Sequence, residues 1–116
     1  MNVTDVINLT PHNINIMDDD NRVILIVEPE EQIARIAATT GRVGIINHSG
    51  EVEIPVSESQ FGEPVNLPNP INGAIFIVSR LLVAALPQRT DLYFPNEIVR
   101  DDRGVVLGCK SLSRSA

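Results

Sequence analysis

Tryptophan is absent from the 116 residues, and the aromatic side chains are three Phe and one Tyr. Binding single-stranded nucleic acid by stacking needs aromatic platforms, so this scarcity argues against it. Basic residues are also few: nine Lys and Arg stand against fifteen Asp and Glu, for a net charge of −6. Neutralising a phosphate backbone takes a basic surface, and no nucleic-acid partner is expected. The single cysteine, Cys109, rules out an intrachain disulfide and a thiolate zinc site built by one chain. His12 and His48 are too few for a three-histidine zinc site. The longest apolar stretches, 23–27 and 74–86, fall short of the ~20 residues that span a bilayer, and Ser79-Arg80 interrupts the second. Met1-Asn2-Val3-Thr4-Asp5 carries neither the basic nor the apolar region of a secretory signal, so a cytoplasmic protein with no membrane contact is expected. No glycine-rich phosphate loop, G-x-S-x-G elbow or H-E-x-x-H pair occurs, and no cofactor is implied.

What the chain does have is Val, Ile and Leu in short alternating runs. Hydrophobic residues make up 43% and charged residues 21% of it, enough for one soluble domain over residues 1–116. Ile14 and Ile16 alternate with Asn13 and Asn15, and Arg22–Glu28 is a β-branched run. With the polar turn Asp18–Asn21 between them they predict a hairpin. That acidic turn lacks the further ligands of a calcium loop and reads as a solvated turn. Gln32–Thr40 reads as a strand, although its Ala, Gln and Arg also favour helix. Val43–Asn47 and Glu51–Val56 flank His48-Ser49-Gly50 as a second hairpin. Residues 57–73, with Pro64, Pro68 and Pro70, read as a long loop. Gly73–Val78 predicts a buried strand, Ser79 a helix N-cap, and Arg80–Leu86 a short helix ended by Pro87. Ile98–Arg100 and Val105–Cys109 bracket a third hairpin, and residues 111–116 read as a frayed tail. The expected fold is mainly β, with α+β open as the looser description. It is a compact barrel- or sandwich-like domain of about six to eight short strands with one short helix near 79–86.

Charge is unevenly divided. Residues 1–63 carry three basic and eleven acidic side chains, a net −8, and residues 64–116 carry six and four, a net +2. An anionic ligand is therefore better tolerated by the second half. Three segments could carry chemistry. In Asn8-Leu9-Thr10-Pro11-His12, a proline-stiffened backbone holds an imidazole beside side-chain hydrogen bonders, as a binding site or a general base would need. The same residues also make an ordinary capped turn. In Pro87–Pro95, Arg89 offers a planar fork for phosphate or carboxylate, and Asp91 can orient it or bridge loop to core with it. Val99–Gly104 supplies Arg100 but needs no role beyond its turn. Cys109, on an apolar strand, reads as a buried inert thiol.

The runs N-L-T-P-H (8–12), I-V-S-R-L-L-V-A-A-L-P-Q-R-T-D-L (77–92), Pro95 and V-R-D-D-R-G-V-V-L-G-C (99–109) resemble a family of small uncharacterised proteins of bacteriophage, prophage and bacterial genomes. Residues 13–76 share only the length and the proline loop. The resemblance implies a setting, the host cytoplasm, in which small phage proteins bind host factors or sequester signalling nucleotides. Three readings follow. The first is a small-ligand binder, in its narrower form a sponge for a nucleotide-derived signal. Its pocket of Asn8, Thr10, His12, Arg89, Asp91 and Arg100 would hold a phosphate-bearing ligand, and a homo-oligomer interface would deepen it. The second is a structural or protein-binding domain, such as a virion component or an inhibitor of a host protein, whose acidic first half faces a basic partner. The third is a hydrolase with His12 as acid or base and Asp91 orienting it.

Overall fold

In the computed structural model, which describes residues 5–115, the chain forms eight strands and one helix. They are β1 (Asp5–Asn8), β2 (Ile14–Met17), β3 (Val23–Val27), β4 (Ala38–His48), β5 (Val52–Phe61), β6 (Ala74–Ile77), α1 (Arg80–Ala85), β7 (Leu92–Arg100) and β8 (Val106–Ser113). Six strands make one sheet in the order β1-β6-β7-β8-β2-β3, while β4 and β5 pair only with each other. The fold is therefore mainly β, as the alternating runs predict. The six-stranded sheet curls until its two outer strands almost meet. Past β3, Pro29 bridges Asn8, and the Glu30 amide donates to the Asn8 carbonyl at 2.9 Å. The result is a nearly closed barrel.

Local chemistry explains the turns. The Asp18 carboxylate accepts the Asp20 and Arg22 amides, both at 2.9 Å, and Asn21 takes the left-handed conformation (φ 61°) that Asn tolerates. The β7–β8 turn repeats the device: Asp101 accepts the Arg103 and Val105 amides, and Gly104 (φ 83°) supplies the left-handed residue. β6 is buried along its whole length because β1 and β7 flank it in parallel. Ser79 caps α1 by accepting the Leu82 amide at 3.3 Å. Alternate residues of three neighbouring strands, Ile7 and Leu9, Phe76 and Val78, Leu92 and Phe94, then pack with Leu82 and Val83 into the main core.

Four local expectations change. Residues 32–37 are irregular rather than a strand. The chain there crosses toward the barrel and drops Ala34 into the core, with Arg35 and Val65 exchanging backbone hydrogen bonds at 3.0 and 2.8 Å. β5 runs on to Phe61, which shortens the expected loop to 62–73. Ser111–Ser113, expected to fray, pair with Phe94–Asn96, and only residue 116 of that tail lies outside the described residues. β7 begins at Leu92, well before the strand expected from Ile98. The molecule is also more drawn out than a plain barrel. Its radius of gyration is 18.1 Å and its extents are 56 × 39 × 27 Å, against about 13 Å for a compact chain of this length. The β4–β5 ribbon, exposed almost throughout, accounts for the difference.

Candidate functional site

Asn8 is fully buried at the end of β1, and its carboxamide uses every hydrogen-bonding position. Nδ2 donates to the His12 carbonyl at 2.7 Å and to the Val27 carbonyl at 2.9 Å. Oδ1 accepts the Thr10 amide at 2.9 Å and the Thr10 hydroxyl at 2.6 Å. Because Val27 ends β3 and Asn8 ends β1, this side chain latches the two edges where the barrel closes. Asn8 and Thr10 thus hold protein backbone, and what they position is the main chain of His12.

The second segment is also tied internally. Arg89 grips Asp91 with both arms, Nε to Oδ1 and Nη2 to Oδ2, each at 2.9 Å, and Nη2 also donates to the Pro68 carbonyl at 3.0 Å. The pair is mostly withdrawn from solvent, with 18% and 15% of the two side chains exposed. The hydrogen bond from Arg89 holds the Asp91 carboxyl below its ordinary value, against the opposing effect of burial. This is the bridge from loop to core, stapling 62–73 to the start of β7. Arg100 is exposed and donates to the Gly104 carbonyl at 3.0 Å across its own turn. The parallel pairing of β1, β6 and β7 sets Asn8 beside Ile77 and Ile77 beside Tyr93, so Asp91 lies two residues before the register of Asn8, with β6 between the two strands. The six expected residues divide among a latch, a loop staple and a turn: Thr10 and His12 share a cleft, while Asn8, Arg89, Asp91 and Arg100 spend their side chains on the protein.

Of the six, His12 lines two adjoining clefts. A cleft of about 450 Å³ runs between β2, β7 and β8, its apolar lining made by Ile14, Pro95, Ile98, Val106 and Leu107 and its polar lining by His12, Asn13 and Asn15. A second cleft, about 460 Å³, continues past His12 toward the start of α1, where Thr10, Ser79, Arg80 and Asn96 add polar groups. The two share His12, Ile14, Pro95 and Ile98. Arg80 lies 5.5 Å above the Phe94 ring, which steadies the guanidinium. Cys109 lines the first cleft but is 1% exposed, and burial pushes its thiol pKa up.

Sequence reasoning missed the apolar floor, because Ile98, Val106 and Leu107 read as ordinary strand residues. Their signal was an excess: β7 and β8 carry more apolar residues than one buried face needs. Glu97, next to Ile98, holds a left-handed backbone (φ 52°) within β7, which no composition rule foretells. Among the described residues no buried side-chain nitrogen or oxygen lacks a partner, and no group of three potential metal ligands occurs. Among the described residues no helix is long and apolar enough to cross a membrane. No family model matches the chain, and neither a curated protein nor a solved structure matches it significantly.

Proposed function

We propose that this chain is a small-molecule binding module whose site is the groove beside His12. The observation that carries the reading is the pair of adjoining clefts. Each lies in the ~300–1,000 Å³ range of ligand sites, with an apolar floor and a few polar groups at one end. A planar, mainly apolar body fits against Ile14, Ile98 and Leu107, and an anionic end reaches Arg80. A nucleotide-derived signal has that shape, with the base on the floor and a phosphate toward Arg80, and the resemblance to phage proteins supports sequestration as the role. Arg89 and Arg100 are not needed for it. Binding is favoured over hydrolysis because both oxygens of Asp91, the carboxylate considered for orienting His12, are held by Arg89.

The test is native mass spectrometry of protein purified from its host, repeated after denaturation, with a thermal-shift panel of nucleotides. An intact small molecule released on denaturation, with a thermal shift abolished by Ile98→Asp and weakened by Arg80→Ala, is the expected result. A chemically altered ligand would point to an enzyme instead. An apo protein indifferent to the panel would favour the second reading, a structural or protein-binding domain. That alternative rests on a separate observation, the apolar β4–β5 ribbon.

A further inference from the structure

A two-stranded ribbon standing by itself is marginal in water, because it has no third layer on which to bury a face. β4 and β5 are 11 and 10 residues long and pair only with each other. At about 3.4 Å per residue they reach roughly 35 Å, far beyond a hairpin that merely connects two elements. Their sequence is not that of a solvated arm. Ile46 pairs with Ile54, and the alternation puts Val52 and Val56 on the same face. Ile45 pairs with Pro55 on the opposite face. Ile45, Ile46, Val43, Val52 and Ile54 are each about half exposed, between 46% and 59%. Apolar side chains thus stand uncovered on both faces of the distal arm, with the Asn47–Glu53 pair among them on the second.

The rest of the chain offers a surface of the same kind. β3 is an edge strand of the barrel, and Val23, Ile24, Leu25 and Ile26 are all about half exposed, so it too is apolar on both faces. Beside it the barrel seam is open, with a cleft lined by Asp5 and Val6 on one side and Leu25–Glu28 on the other. Nine apolar residues of arm and β3, each about half exposed, present together an area on the order of the about 800 Å² per partner that a stable interface buries. β4 contains no proline and keeps its outer edge free for pairing, whereas Pro55 interrupts β5.

We propose that the β4–β5 arm is an intersubunit arm and that its occupant is a second copy of this chain, against whose β3 edge and flanking faces it packs by strand addition. The arm would be donated and the β3 edge received by every copy, so the contact is self-complementary without any other partner. This goes beyond the ligand-binding reading: the His12 groove lies on β2, β7 and β8, and each proposal can fail alone.

The test is sedimentation velocity on the full chain with hydrogen exchange of the same samples. The expected wild-type species has at least twice the 12.7 kDa of one chain. Exchange in 38–61 and 23–27 should be slower in it, by on the order of a hundredfold, than in protein diluted to the monomer. Ile46→Thr with Ile54→Thr, which keeps strand propensity but removes the apolar contact, should give a monomer whose barrel amides, β6 above all, stay protected. A wild-type monomer at high micromolar concentration, or an oligomer whose arm exchanges as fast as a free hairpin, overturns the proposal. Because the exchange comparison uses unaltered protein, it decides the matter even if the double variant fails to fold.

Discussion

Asn8 shows how much one side chain can organise. Four hydrogen bonds converge on a carboxamide with no solvent access. Asn8→Ala would strand the Val27 carbonyl and the Thr10 amide, while the His12 carbonyl keeps the Thr10 hydroxyl at 3.2 Å. Each orphaned buried group costs about 1–3 kcal/mol, so the loss should be about 3 kcal/mol in urea unfolding, and Asn8→Asp should not restore it because a carboxylate cannot donate. Gly108 is a second such point. A β-carbon there would lie 2.6 Å from the Asn15 carbonyl and 2.7 Å from the Met17 sulfur, so Gly108→Ala must push β8 from β2. Overpacking of that kind costs about 1–3 kcal/mol. Cys109, buried with its pKa raised, should resist a thiol reagent in the native state and react fully once the protein unfolds.

At the scale of elements, the Arg89–Asp91 pair joins the loop 62–73 to the start of β7. Its pH dependence has a definite sign. The folded Asp91 carboxyl lies below its ordinary value of 3.8, so its contribution is present above that pH and fades as pH falls through the lower folded value. Asp91→Asn should destabilise the protein at neutral pH by about 1 kcal/mol, given the residual solvent contact, and flatten the acid limb of stability against pH. Arg89→Lys should mimic it at neutral pH, since an ammonium cannot grip both carboxylate oxygens and the Pro68 carbonyl in one plane. Limited proteolysis would then cut first within 62–73.

For the whole molecule, the contrast between a tightly latched barrel and a bare ribbon is the main feature. The barrel closes through backbone and Asn8 contacts at one end of the β1–β3 seam and stays open along the rest. Elongation follows from the arm, and small-angle scattering of an isolated chain should return a radius of gyration near 18.1 Å. If the arm packs on a second copy, the Thr double variant should be the form in which that value is measured. Ligand binding in the His12 groove should be unaffected by the same change, which separates the two proposals.

Much of the fold is legible in the residues themselves. Asp18 and Asp101 sit where their carboxylates can close turns, Ser79 precedes a short apolar helix, and period-two runs name the strands. These are local effects, decided within a few residues, so they survive being read one segment at a time. The apolar run 74–77 likewise announces a fully buried strand. The site was not legible in this way. Asn8, Arg89 and Arg100 have the side chains that bind ligands, yet those side chains are satisfied by backbone carbonyls 19, 21 and 4 residues away in sequence. Whether a polar group meets a ligand or the protein depends on which distant segment arrives beside it. The strand order β1-β6-β7-β8-β2-β3 decided that, as it decided that Ile98 and Leu107 would floor a groove and that β4 and β5 would find no third strand. Sequence settles local conformation because short-range sterics and hydrogen bonds dominate there. Tertiary structure alone settles which apolar faces are covered, because burial is a property of the neighbours.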